Sequence, residues 1–386
     1  MEFAFTEEQQ MIRETAEQFL ADHCDCAAVR RAMATEAGFD PELWQKIAGE
    51  MCWTAIHVPE ACGGLGLGYV EVVALMEQMG RRLLCAPYFS SVCLGANALL
   101  VAAGNEQQQR WLPTIADGSC RATLAWCDAS GRWDASGVSA TFVRDGDGYV
   151  LDGEYRYVVD GHGADLLIVA ARTPGSGGAQ GIALFAVPAD AAGVQRSLLP
   201  TLDQTRKLAA IRLERMRVPA TALLDAAGEE AGAALAKILG LATVALAAEQ
   251  AGGAQQILDI AVAYTKERQQ FGRTIASFQA IKHKAADMML KAEAARSAVY
   301  YAGCVANEAL ADSARDAELL AAASLAKAYC SETYFFNAGT ALQLHGGVGF
   351  TWEYDVHLYF KRARASESFL GDAAEHRERI AVELGL

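Results

Sequence analysis

The run Glu267-Arg268-Gln269-Gln270-Phe271-Gly272, followed by Phe278-Gln279, is the most informative stretch of the C-terminal half of this chain. It lies between two long alanine-rich stretches. Residues 230–267, 276–308, 315–340 and 355–386 read as long helices of a bundle, alanine being the strongest helix former. The longest apolar run, Ile238 to Ala248, is 11 residues between Lys237 and Glu249. That is too short to cross a bilayer and predicts a buried helix.

Upstream of the bundle the pattern changes. Ala122–Trp126, Tyr149–Leu151, Leu166–Ala170 and Ile182–Val187 are short β-rich runs. Turn signals such as Asp145-Gly146-Asp147-Gly148 and Gly175-Ser176-Gly177-Gly178 separate them. They predict a compact antiparallel β domain that Pro219 ends. The first part of the chain is helical again. Thr6 is placed to cap a helix whose first turn holds Glu7, Glu8 and Gln9, with apolar residues recurring at Met11, Ile12, Ala16, Phe19 and Leu20. Pro59 to Gly68 is a glycine-rich break before a helix over Val70 to Leu84. The expected fold class is mainly α with a central β domain. Its parts are an N-terminal helical domain (1–120), a middle β domain (121–226) and a C-terminal four-helix bundle (227–386). Parallel α/β alternation is lacking, which disfavours a Rossmann fold.

Composition narrows the function. The chain has 386 residues, a formal net charge of -14 and a hydrophobic share of 52%. An acidic balance argues against broad binding to nucleic acid or an anionic membrane, so an anionic ligand has to be held by a few placed arginines and backbone amides. MEFAFTEEQQ carries acids where an export signal needs basic and then apolar residues. The 10 cysteines form no CxxC pair, and His23-Cys24-Asp25-Cys26 has no second ligand pair at zinc-like spacing. No metal is expected, and a reducing cytoplasm is.

P-loop, GxSxG and HExxH motifs are absent. The informative motifs are ERxxFG at 267–272, the later Phe278-Gln279, and Gln343-Leu344-His345-Gly346-Gly347-Val348-Gly349-Phe350. Together with FTEEQ, the loop VPEACGGLG and Val218-Pro219, they resemble the FAD-dependent acyl-CoA dehydrogenase family over nearly the whole chain. The resemblance implies that Arg268, Phe271, Gln279, Gln343, Gly346 and Gly347 hold the ADP half of an FAD lying mainly in a neighbouring subunit. An arginine fork suits a pyrophosphate, and glycines let backbone come close to it. Thr351-Trp352-Glu353 and His357-Leu358-Tyr359 are similar to the subset acting on bulky acids such as steroid side chains.

The sequence also departs from that family. Its reaction removes an α-proton from an acyl-CoA thioester, and a carboxylate has to take it. The YEGT-like position of the base reads Phe369-Leu370-Gly371-Asp372, so Leu370 stands where the acid belongs. The alternative base position, on the helix before ERxxFG, is Ala242, followed by Thr243. The loop that lies against flavin and substrate reads Trp126-Cys127-Asp128-Ala129-Ser130-Gly131-Arg132-Trp133-Asp134. The WITN-like sequence reads Tyr157-Val158-Val159-Asp160, which puts a valine where a threonine hydroxyl normally approaches flavin N5. Asp372 replaces the threonine of YEGT. As relocated bases, Glu249 lies roughly 10 Å along the helix from Ala242, too far for the same substrate pose, and reads as a buried or interface glutamate, and Glu367 falls on a neighbouring helical face. His345 and Lys282-His283-Lys284 read as packing and as a solvated face.

Groups serving the chain's own flavin ring are therefore altered, while those reaching a neighbour's FAD are kept. The expectation is a subunit without a catalytic residue of its own. It works in the cytoplasm with a catalytic acyl-CoA dehydrogenase subunit, in an α2β2 heteromer that converts an acyl-CoA to a 2-enoyl-CoA and passes electrons to electron-transferring flavoprotein. A self-sufficient homotetramer with a non-standard base, and a non-redox acyl-CoA or nucleotide-binding scaffold, remain alternatives.

Overall fold

The computed structural model describes residues 6–386. Six helices come first: α1 (Glu7–His23), α2 (Cys26–Ala34), α3 (Pro41–Gln45), α4 (Tyr69–Arg81), α5 (Asn97–Ala102) and α6 (Asn105–Ala116). Seven strands follow: β1 (Ala122–Ala125), β2 (Thr141–Asp145), β3 (Gly148–Val159), β4 (Leu166–Arg172), β5 (Ile182–Pro188), β6 (Val194–Leu198) and β7 (Leu208–Pro219). Then come α7 (Gly232–Glu267), the two-residue strands β8 (Gln269–Gln270) and β9 (Arg273–Thr274), α8 (Gln279–Ala311), α9 (Asp316–His345), α10 (Val356–Ser368) and α11 (Ala373–Glu383).

Local chemistry sets the ends of these elements. Thr6 caps α1 in a reciprocal box: its hydroxyl accepts from the Gln9 amide at 3.2 Å, and the Gln9 side chain accepts from the Thr6 amide at 3.0 Å. The helix expected over 355–386 is broken in two. Leu370 (φ 62°) and Gly371 (φ 103°) leave the helical region. Asp372 then caps α11 in a second box with Glu375.

The chain forms two compact units. One comprises 6–31, 69–84 and 243–386, and is helical. Where α4 meets α7 in it, a Cβ on Gly252 would sit 1.8 Å from the Glu77 carbonyl oxygen, and one on Gly80 would sit 2.0 Å from that of Glu249. Only glycine allows this backbone approach. The apolar run of α7 is buried as expected, with Ile238, Leu241, Val244 and Leu246 at 0% exposure.

The other unit, 32–68 with 85–242, holds the sheet. Its strand order is β1-β4-β2-β3-β7-β6, with β5 on the other side of β4. The sheet is mixed, not purely antiparallel. β1 pairs with β4 in parallel, because the chain leaves β1, builds the β2–β3 hairpin and returns to β1's flank in the same direction. Phe142, Tyr149 and Phe185 meet edge-on at 5.3–5.8 Å in its core. β2, β6 and β7 escape sequence reading because their outward positions carry Arg, Glu, Gln and Ser. Pro219 is the last residue of β7.

Candidate functional site

The 267–279 stretch is a chain reversal. The Arg268 amide donates to the Tyr264 carbonyl at 2.9 Å, closing α7. β8 and β9 then form a two-residue hairpin with Phe271 (φ 54°) and Gly272 (φ 74°) at its tip. Positive φ at both tip residues is the hairpin geometry that matches strand twist, and it is unusual for phenylalanine. Phe271 is 91% exposed. Behind it, Phe278 carries the Arg273 guanidinium 4.1 Å from its ring centre. α8 starts at Gln279 with no side-chain cap and no acid in its first turn. That leaves its positive end open, with Lys282 close by.

α9 ends at the same place. Tyr264 stacks on His345 at 4.1 Å and 19°, and its hydroxyl donates to the His345 carbonyl at 3.4 Å. Lys284 Nζ donates to Gln343 Oε1 at 3.0 Å, so this lysine is tied to the motif and is not simply part of a solvated face. The C-terminal ends of α7 and α9 and the start of α8 thus come together. His345 packs: burial lowers its pKa, and Nδ1 lies 2.8 Å from the Ala341 carbonyl, to which it donates. Arg268, Phe271, Gln279, Gln343, Gly346 and Gly347 are all exposed. The Arg268 guanidinium has no acid partner among the described residues. A Cβ on Gly346 (φ 64°) or Gly347 would meet nothing within 4 Å. This cradle of one free guanidinium, two side-chain amides, open glycines and a helix N-terminus fits a nucleotide diphosphate.

The base position is different in kind. Leu370 is 2% exposed and Ala242 is 0% exposed. Around the Leu370 turn runs a buried polar network that the sequence reading missed. Lys327 on α9, 0% exposed, donates to the Glu367 carbonyl at 3.0 Å, the Gly371 carbonyl at 2.9 Å and Ser331 Oγ at 2.8 Å. Burial pushes its pKa down to about 7, while the three oxygens form the set that suits an ammonium. Gln250 on α7 donates to the Ser366 carbonyl at 3.0 Å and accepts from Ser331 Oγ at 3.3 Å. His376 Nε2 donates to the Leu370 carbonyl at 3.0 Å, and Nδ1 accepts from Ser324 Oγ at 3.1 Å. The turn keeps its supports although its side chain carries no acid. The available signal was Lys327 itself, a lone cation in the largely apolar run Leu319–Cys330.

Burial lowers the His376 pKa from 6.5 to about 3, and the His57 pKa from 6.5 to about 4. Between these values and 6.5 the unfolded chain binds protons that the folded chain refuses. The two residues' contribution is therefore fully present above pH 6.5 and is lost as pH falls towards 3. Urea midpoints are expected to drop over that range. His376→Asn, which keeps a donor for the Leu370 carbonyl, is expected to flatten the acid limb. An unchanged pH dependence in that variant contradicts the assignment.

Neither relocated-base candidate stands free. Glu249 Oε1 accepts from Arg362 Nη1 at 2.8 Å, and both side chains are buried. Glu367 pairs with Arg364 one turn earlier on α10.

The sheet unit carries the loop and strand residues matched to a flavin ring. Val159 is 1% exposed, and its carbonyl accepts from Thr123 Oγ1 at 2.7 Å. Asp160 Oδ2 accepts from Ser90 Oγ at 2.7 Å. Tyr157 and Asp160 both have positive φ, 59° and 52°. Trp126, Trp133 and Tyr157 form a ladder with ring centres 5.9 Å apart at each step. These residues offer no hydroxyl at position 159 and fit a flavin ring poorly.

Residues 6–119 match the acyl-CoA dehydrogenase N-terminal domain, and residues 230–385 match the acyl-CoA dehydrogenase C-terminal domain. The chain is 33% identical over 380 residues to acyl-CoA dehydrogenase IpdE2 of Mycobacterium tuberculosis, covering 98% of each protein. Among solved structures it resembles the ChsE4-ChsE5 complex of Mycobacterium tuberculosis, with a TM-score of 0.88, 29% identity, and coverage of 100% of this chain and 99% of that one. It also resembles a variant of the Tcur3481-Tcur3483 steroid ACAD, with a TM-score of 0.85, 31% identity and 98% of each chain covered.

Proposed function

The chain belongs to the acyl-CoA dehydrogenase family, and from that premise we propose that it is the non-catalytic subunit of a heteromeric member. The observation that carries the proposal is the contrast between Arg268 and Leu370. The positions assigned to a neighbour's ADP group carry a free guanidinium and open glycines, and the position assigned to the base carries a buried leucine. FAD, when bound in the complex, accepts the hydride from the β-carbon of the acyl thioester.

This chain's own residues bind and position. The Arg268 fork takes the pyrophosphate, Gln279 and Gln343 offer amides, and Gly346-Gly347 let backbone approach. Phe271 projects from the hairpin tip towards the partner. The base and the flavin-ring contacts come from that partner, a family member with an intact glutamate. The reading includes an α2β2 assembly in the cytoplasm, with electron-transferring flavoprotein as the acceptor. A bulky, steroid-like acyl-CoA is the favoured substrate class, which the likeness to the steroid ACAD supports.

The test is to produce the chain alone and together with a base-bearing relative, then compare flavin content and mass. The chain alone is expected to be colourless. The pair is expected to be yellow, with one FAD for each pair of unlike chains. Stoichiometric FAD in the chain alone contradicts the proposal.

A further inference from the structure

The ladder Trp126–Trp133–Tyr157 has more to say than that a hydroxyl is missing. Trp133 lies between the other two rings, tilted 57° to Trp126 and 53° to Tyr157. At 5.9 Å with such tilts the rings touch one another, leaving no parallel slot for a flat ligand. The Trp126 indole N–H is buried and has no acceptor among the described residues.

The loop that delivers Trp133 is closed on itself. The Asp128 amide donates to the Gly137 carbonyl at 3.0 Å, and the Arg156 amide donates to the Cys127 carbonyl at 2.8 Å. Asp134 caps the turn that follows by accepting from the Ser136 amide at 2.8 Å. At the other end of the ladder, Tyr157 is held at positive φ, and a Cβ on Gly131 would come within 4.0 Å of its ring. Loop and strand are thus joined by an aromatic row built from their own side chains, buried at Trp126 and half-buried at Trp133 and Tyr157.

We propose that Trp133 is a plug. It fills the space that an isoalloxazine ring needs against the 126–134 loop and the 157–160 strand end, and it sets the flavin content of this chain. The inference rests on the proposed function and adds a cause. The chain's own ring site is closed sterically, by one side chain wedged between two others, and does not merely bind weakly for want of a hydroxyl at Val159.

FMN is the probe, because it carries the ring without the ADP group that Arg268 is assigned to hold. The purified full-length chain is titrated with FMN as wild type, Trp133→Ser and Trp133→Phe, with thermal unfolding as the check on folding. Trp133→Ser is expected to bind FMN about tenfold more tightly than wild type or more, with the flavin fluorescence quenched. Trp133→Phe, which keeps an aromatic wedge, is expected to behave as wild type. A folded Trp133→Ser variant that gains no FMN affinity overturns the plug. Should the serine variant not fold, wild type decides. The part of the emission lost in Trp133→Phe reports on Trp133, and its quenching by FMN in wild type shows a ring stacking on the ladder, which overturns the proposal. Persistence of that emission to the end of the FMN titration supports it. Failure of the parent reading looks different: it is FAD retained by the wild-type chain on purification, whatever FMN does in the variants.

Discussion

Changing Arg268 to alanine is expected to lower the FAD affinity of the assembled complex ten- to a hundredfold. The side chain is exposed, so its loss leaves no hole in the helical unit. It is also without an acid partner among the described residues, so no carboxylate is left unpaired in its place. What is removed is a charge-assisted bond to a phosphate, worth roughly 1.5–3 kcal/mol. Arg268→Lys keeps the charge but not the planar fork, and an intermediate loss is expected. Dialysis followed by absorbance of the retained flavin measures all three proteins. Equal retention in wild type and Arg268→Ala contradicts the assignment of the cradle. The unfolding midpoint of the chain alone should hardly move, which separates a ligand contact from a structural one.

The largest stability effect is expected at Arg362. Its guanidinium is 4% exposed and meets Glu249, 6% exposed, at 2.8 Å. Replacing Arg362 by methionine strands a buried carboxylate, and breaking such a pair costs roughly 3–5 kcal/mol. Replacing both, with Glu249→Leu and Arg362→Met, removes the two charges together and is expected to recover most of that loss. Chemical denaturation of the single and double variants measures the coupling. A single variant as stable as wild type contradicts the buried pair. The same experiment bears on chemistry. If Glu249 is structural, Glu249→Gln in the assembled complex lowers stability without abolishing turnover, whereas a relocated base would lose both.

Much of this was legible in the sequence, for identifiable reasons. Long helices advertise themselves by alanine content and apolar spacing, so α7, α8 and α9 emerged within a few residues of their ends. β4, apolar up to its last residue Arg172, and its neighbour β5 were equally plain. β7 was hidden because Arg212, Glu214 and Arg217 face outwards and break up its pattern. The parallel β1–β4 pairing is a matter of chain path, which no local run encodes. The break at Leu370-Gly371 was concealed by helix-forming residues on both sides.

The six residues assigned to an ADP cradle were picked out by motif spacing, and they gather at one end of the helical unit. Of the supports of the Leu370 turn only Lys327 left a sign in the sequence, as a lone cation in an apolar stretch; the partners did not. Lys327 and His376 act through backbone carbonyls 40 to 44 and 6 residues away along the chain. Nothing in the residue types alone announces such partners. The Glu249–Arg362 pair spans 113 residues and was hidden for the same reason.

On the proposed reading this polypeptide lacks a proton acceptor for the acyl α-carbon. It is tested most directly by mixing the chain, purified alone and supplied with excess FAD, with acyl-CoA thioesters under anaerobic conditions while the flavin absorption band is followed. No bleaching is expected with the chain alone, and bleaching is expected once the base-bearing partner is added. Flavin reduction by the chain alone, at a rate comparable to that of the complex, would contradict it.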